Sequence, residues 1–271
     1  MSQVPDEKAP RETEEGTSIP ERKGRETMSI FNRPRRYKTP TGDVYTLYND
    51  MAAQPHLLVA GATGSGKSVV VNGIIYNLLF NGPGSAQFVL IDPKRVELSM
   101  YKSVPHCIRY ASEPAEMILA LQYALSITEN RYQEMQRRRI RKYDGGHVFV
   151  IIDELADLMT TQKKAVQPLI QRLCQIGRAA CVHVIACTQV CLSSVISTPI
   201  LVNFDARVGL RTRNAQDSRN ILGSAGCERL PRYGQGYFMT PEGINLWNIP
   251  MYSDSDLESM VSWWTSRRCI A

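Results

Sequence analysis

The sequence predicts an α/β domain with a mainly parallel sheet and helices on both faces. Three observations carry that expectation. Short, nearly continuous apolar runs recur at His56–Ala60 (HLLVA), Phe88–Ile91 (FVLI), Val148–Ile152 (VFVII), Val182–Ala186 (VHVIA) and Ala206–Leu210 (ARVGL). Strands buried on both faces read this way, whereas half-exposed strands alternate apolar with polar residues. Longer stretches with helical spacing separate the runs, which is the βα alternation of a covered parallel sheet. A glycine-rich loop joins the first run to the first helical stretch, a connection that belongs to the same architecture.

The elements follow in order. Residues 1–28 mix Pro, Glu, Lys, Arg, Ser and Gly with almost no large apolar side chains, so they cannot offset the entropy of ordering. Residues 1–40 are therefore read as a disordered or extended tail, and 41–271 as the domain. Thr41–Tyr48 (TGDVYTLY) opens with a turn signal and continues as a strand. After His56–Ala60 comes the loop, then a buried helix over Val69–Phe80 (VVVNGIIYNLLF). Glu113–Lys142 is a long helix with Met117, Leu121, Ala124 and Leu125 on one side. Val166–Ile176 and Asp217–Leu222 are helices, Gly236–Met239 and Asn245–Ile249 late strands, and Asp254–Ser266 a closing helix.

Composition narrows the function classes. The 271 residues are 43% hydrophobic and 21% charged, ordinary for a globular protein. No run approaches the roughly 18 apolar residues a membrane span needs. The start lacks the apolar core of a secretory signal, so a cytoplasmic protein is expected. The net charge of +6 falls entirely within residues 51–271, a mild bias toward polyanionic partners. Seven cysteines, an odd count, argue against a disulfide framework. Cys187 and Cys191 have no second pair at zinc-site spacing and read as small buried side chains.

Chemistry enters at Gly61-Ala62-Thr63-Gly64-Ser65-Gly66-Lys67-Ser68, a full G-x-x-x-x-G-K-[ST] loop between strand and helix. Glycines let the backbone curl so that its N–H groups face phosphate, and a helix starting near Ser65 adds its positive end. Lys67 should reach the β and γ phosphates of ATP, and Ser68 should hold Mg²⁺. A second acid is needed at the end of another buried strand. Asp153 and Glu154 follow VFVII directly, which is the Walker B pattern. Asp153 would hold the Mg²⁺ shell, and Glu154 would polarise the attacking water.

Four segments then bear a likeness. HLLVAGATGSGKS, LIDPKRVELSMYKSVPH, VFVIIDELADLM and LIQRLCQIGRAACVHVIACTQ, in that order, resemble the motor domain of FtsK/SpoIIIE DNA translocases. The likeness runs from about residue 41 to 250. It implies a RecA-like P-loop NTPase working as a ring, usually of six, that moves duplex DNA with ATP. The family's sensing Thr-Gln corresponds to Thr188 and Gln189, and its Gly-Arg-Ala-Ala segment to Gly177–Ala180. Arg178 is then the candidate finger reaching a neighbour's ATP, with an intrachain ion pair as the plainer role and Arg172 as the second choice. Asp92-Pro-Lys94 would end a core strand near the nucleotide.

The chain departs from the family where the pore is expected to be basic. Val190 and Cys191 follow the Thr-Gln, and Leu201 and Ala215 stand where lysines are typical. Arg207, Arg211, Arg213 and Arg219 remain nearby as candidate DNA contacts. Three readings stay open: a duplex DNA motor, of a kind that would suit a mobile element, a conjugation coupling-type ATPase handling a single strand, and a nucleotide-gated binding module with little translocation.

Overall fold

The computed structural model describes residues 35–38, 44–47, 54–189, 196 and 198–268. Expectations about residues 1–28, and about Val190 and Cys191, lie outside the described residues. Strands β1 (Arg35–Lys38) and β2 (Val44–Leu47) pair antiparallel as a two-stranded sheet.

The main sheet has eight strands. In chain order they are β3 (Leu57–Ala60), β4 (Ala86–Ile91), β5 (Cys107–Ala111), β6 (His147–Ile152), β7 (Val182–Thr188), β8 (Ala206–Gly209), β9 (Gln235–Thr240) and β10 (Gly243–Asn248). In space they run β10-β9-β8-β3-β7-β6-β4-β5. The pairs from β8 through β5 are parallel, and β9 and β10 add an antiparallel edge. This is the expected α/β architecture.

Because successive side chains leave a strand on opposite faces, each strand feeds two cores. Leu58, Val89, Val148, Val150 and Val184 point to one face, under α2 (Pro114–Arg138), α3 (Leu155–Thr161) and α4 (Lys163–Ile176). Leu57, Val59, Phe88, Phe149 and Ile185 point to the other, under α1 (Lys67–Leu78) and the closing helix. Two short helices, α5 (Thr198–Leu201) and α6 (Ala215–Leu222), flank β8, and α7 (Asp254–Arg268) closes the chain. Trp264 docks α7, its Nε1 donating to the Leu79 carbonyl at 2.8 Å. Cys174, Cys181, Cys187 and Cys227 are free and buried, and burial pushes their thiols up from the ordinary value. Among the described residues no helix is long and apolar enough to cross a membrane.

The structure adds elements that the pattern did not predict, β1 among them. β5 is an edge strand, only partly buried along most of its length, with Arg109 at its centre. α3 and α5 are too short to establish a helical period. The loop helix begins at Lys67 rather than near Ser65, because Gly66 is its N-cap in the left-handed region with φ 99.

Candidate active site

All the sequence-predicted catalytic groups except Arg178 gather at the C-terminal ends of β3, β4, β6 and β7, the edge where open parallel sheets bind ligands. The phosphate loop leaves β3 pressed against its neighbours. Gly61 N–H donates to the Thr188 carbonyl at 3.3 Å and Ala62 N–H to that of Arg211 at 2.9 Å. A β-carbon at Gly61 would meet Ser65 Oγ at 2.6 Å and Leu210 Cβ at 2.7 Å, so only glycine fits. Lys67 Nζ donates to the carbonyls of Gly61 and Ala62 at 2.8 and 2.9 Å, which holds the ammonium over the loop. Burial lowers its pKa, with Glu154 opposing the shift. The backbone N–H groups of Gly64 and Gly66 find no acceptor among the described residues. A helix start with such donors and a lysine suits a polyphosphate.

The acids approach from β6. Burial raises the Asp153 carboxyl to about 6, and Asp92 and Glu97 add to the rise. Asp92 is fully buried; its Oδ2 accepts from Leu98 N–H at 3.0 Å, while Oδ1 has no hydrogen-bond partner. Ser68 follows Lys67, whose ammonium is within electrostatic reach of Glu154 and Asp153, and a hydroxyl and a carboxylate are the hard oxygen donors that suit Mg²⁺.

Glu154 is 3% exposed and tied on both oxygens. Oε1 accepts from Gln189 N–H at 3.1 Å, and Oε2 lies 3.5 Å from Lys94 Nζ. Lys94 also lies 3.9 Å from Asp157. The side chain of Gln189 turns the other way, its Oε1 accepting from Thr63 Oγ1 at 2.7 Å. One unbroken set of contacts thus joins the loop after β4, the acid after β6, the end of β7 and the phosphate loop. Sequence reasoning left the role of Lys94 open, although its place just after a core strand was the available signal.

Arg178 lies elsewhere. Its turn leads into β7 from the N-terminal end, while the phosphate loop meets the C-terminal end of β7 at Thr188. Seven residues of strand span about 20 Å, so Arg178 cannot reach the site of its own chain. The turn is firmly held. Arg131, on α2, donates from Nη1 to the Ala180 and Cys181 carbonyls at 2.7 and 3.1 Å. Tyr132 Oη donates to the Ile176 carbonyl at 2.9 Å. Arg178 itself is exposed. Arg172 lies 3.4 Å from Glu129 across α4 and α2.

The candidate DNA arginines separate. Arg207 is committed inside the chain: Nε, Nη1 and Nη2 donate to the carbonyls of Phe204, Ile221 and Leu201 at 3.0, 2.9 and 2.8 Å. A guanidinium so engaged is an internal tie. Arg211, Arg213 and Arg219 are exposed, Arg211 directly beside the phosphate loop through its carbonyl. Leu201 packs against the core and Ala215 opens α6. Arg232, which the sequence did not single out, lies against Gly64 of the loop.

Known proteins resemble this chain in sequence and in fold. The model of the FtsK/SpoIIIE family matches residues 38–148 and 146–192. DNA translocase FtsK of Rhizobium meliloti is 34% identical over 259 residues, which cover 79% of this chain and 29% of that protein. DNA translocase FtsK of Rickettsia bellii is 34% identical over 262 residues, 80% of this chain and 35% of that protein. The chain thus spans about a third of the length of these relatives. Among solved structures, the pCW3 conjugation coupling protein TcpA with ATPγS superposes with a TM-score of 0.72 at 21% identity, covering 86% of this chain and 72% of that one. The Thermomonospora curvata type VII secretion ATPase EccC gives 0.74 at 21% identity, covering 89% of this chain and 32% of that one. The fold is that of the RecA-like P-loop ATPases, and the chain belongs to the FtsK/SpoIIIE family.

Proposed function

We propose that residues 41–271 form the ATPase domain of a DNA translocase that binds ATP between subunits of a ring, six in number, and moves double-stranded DNA. One observation carries the reading: Lys67, Glu154 and Gln189 converge at one end of the sheet while Arg178 is held at the other. Lys67 is the catalytic cation that the site's own chain brings, and an arginine exposed at the far side of the chain is placed to complete the site of a second copy.

Each residue then has a task. The loop from Gly61 to Ser68 cradles the phosphates, and Lys67 shifts from the Gly61 and Ala62 carbonyls to the β and γ phosphates. Ser68 and Asp153 would hold Mg²⁺, which neutralises phosphate charge when bound. Glu154, aimed by Lys94 and by Gln189 N–H, orients and polarises the attacking water. Arg178 of the neighbouring subunit stabilises the developing charge. Gln189 contacts both Thr63 and Glu154 and opens the segment after β7, so a change at the γ phosphate is felt there. Arg211, Arg213 and Arg219 are the proposed DNA contacts, and Arg207 is left out because its donors are used. The relatives named DNA translocase FtsK support DNA as the partner.

The test is the ATP hydrolysis rate without DNA, with duplex and with single-stranded DNA, at two salt concentrations, beside Lys67→Ala. Duplex stimulation that depends on Lys67 is the expected result. Preference for single strands would move the reading to a coupling-type ATPase. Lys67-dependent hydrolysis indifferent to DNA would leave a nucleotide-gated module.

A further inference from the structure

Arg232 belongs to no nucleotide motif, yet it lies against the phosphate loop. A β-carbon at Gly64 would sit 3.4 Å from Arg232 Nη2 and 3.9 Å from Nε, so one edge of the guanidinium faces the loop. Gly64 has φ +71, a left-handed bend within the glycine-rich turn, and its N–H finds no acceptor among the described residues. The guanidinium also stacks on its neighbour: its central carbon is 5.3 Å from the centre of the Tyr233 ring, which is 62% exposed. Stacking restrains a cation without neutralising it. Among the described residues no carboxylate forms an ion pair with Arg232. The turn that carries it is anchored to its own chain, since Gly234 accepts from Ile249 N–H at 2.9 Å and β9 follows at once in the main sheet.

We propose that Arg232 is a nucleotide contact supplied in cis, its guanidinium pairing with phosphate oxygens of the nucleoside triphosphate. The inference rests on the nucleotide-binding reading of the loop. An exposed, restrained cation without an anion of its own, beside backbone donors shaped for phosphate, is matched by the charge of a polyphosphate. A guanidinium presents two parallel donors to such oxygens. Two arginines of different origin then serve one ATP. Arg232 comes from the same chain and contributes to holding the nucleotide. Arg178 comes from the neighbour and contributes to its hydrolysis.

The experiment is equilibrium binding of a fluorescent non-hydrolysable ATP analogue, and of fluorescent ADP, to the full chain without DNA. Wild type is compared with Arg232→Ala, Arg232→Lys and Lys67→Ala, and each is melted without nucleotide. Arg232→Ala is expected to bind the triphosphate at least tenfold more weakly, Arg232→Lys to fall between, and both to melt with wild type. In turnover, Arg232→Ala raises KM with kcat nearly kept. Loss confined to the triphosphate places the contact at the γ phosphate, and loss with ADP as well places it at α or β; either supports the proposal. Affinities within twofold of wild type, beside a clear loss in Lys67→Ala, would overturn it. So would a lowered melting temperature of Arg232→Ala without nucleotide, which marks a structural arginine. Wild type without Lys67-dependent binding would instead defeat the nucleotide reading itself, and this inference with it.

Discussion

Lys94 Nζ stands 3.5 Å from Glu154 Oε2, while Gln189 N–H donates to the other carboxylate oxygen at 3.1 Å. Glu154 is thereby fixed in position and given a counter-charge before any water attacks. A buried carboxylate that loses its cation is left poorly compensated and free to turn. Lys94→Ala is therefore expected to lower kcat about tenfold, near 1.4 kcal/mol of barrier, with nucleotide affinity almost unchanged. Glu154→Gln should remove most hydrolysis, by 10²–10⁴ as an order of magnitude, and still bind ATP. Equal loss of binding and turnover in Lys94→Ala would show that it acts on the nucleotide directly.

The trans role of Arg178 has a direct complementation test. Arg178→Ala retains its own phosphate loop, and Lys67→Ala retains its arginine. Neither alone should hydrolyse ATP, but mixed assemblies contain sites with an intact loop on one side and an intact arginine on the other. Mixing the two variants should restore a fraction of wild-type activity. If mixing restores none, Arg178 is not acting across subunits.

The turn that presents Arg178 depends on Arg131, which is 9% exposed and donates to two carbonyls while lying 4.3 Å from the Tyr143 ring centre. Replacing it with Met leaves the Ala180 and Cys181 carbonyls without that donor. The expected cost is about 1–3 kcal/mol of unfolding free energy, measured by denaturant titration. Hydrogen exchange should rise most at residues 177–181.

At the opposite end of the sheet from the site, histidines form a neutral network. His147 Nδ1 lies 2.8 Å from His183 Nε2, His183 Nδ1 is 3.0 Å from the Pro55 carbonyl, and Val184 N–H donates to His56 Nδ1 at 3.0 Å. Burial lowers all three, His56 and His147 to about 4 and His183 well below its ordinary value, and it lowers His106 as well. Lys142 faces both His147 and His183, and Arg131 faces His147; both charges disfavour protonation. The unfolded chain therefore binds more protons than the folded one between 6.5 and about 4. This contribution is complete above 6.5 and is lost as pH falls toward about 4. Asp153, raised to about 6, works in the opposite direction, one group against several. Unfolding free energy should fall on acidification from pH 7.5 to 5, by up to about 1.4 kcal/mol per pH unit for each net proton. A flat or rising profile over that range would contradict the account.

These groups differ in how legible they were. The runs FVLI, VFVII and VHVIA are buried on both faces, with His183 the one polar side chain among them, so the sheet could be read directly. β5, with Arg109 inside and solvent along its edge, carries no such run. The phosphate loop and the Asp153–Glu154 pair are local motifs, and local spacing is what a sequence displays. Arg207 resembles its neighbouring arginines in sequence, and only the fold commits its donors to the carbonyls of Phe204, Ile221 and Leu201. Lys94 and Arg232 meet Glu154 and Gly64 only through the sheet order, since β4 borders β6 and the β9 edge returns beside β3 through β8. Such contacts are tertiary and leave no periodic trace.

The most direct measurement is ATP-dependent displacement of a third strand from duplex DNA, run on wild type and on Glu154→Gln at matched DNA and ATP occupancy. The account predicts displacement by wild type whose rate rises with duplex-stimulated hydrolysis, and none by Glu154→Gln although it binds both ligands. Hydrolysis without displacement in wild type, or equal displacement by both proteins, would contradict it.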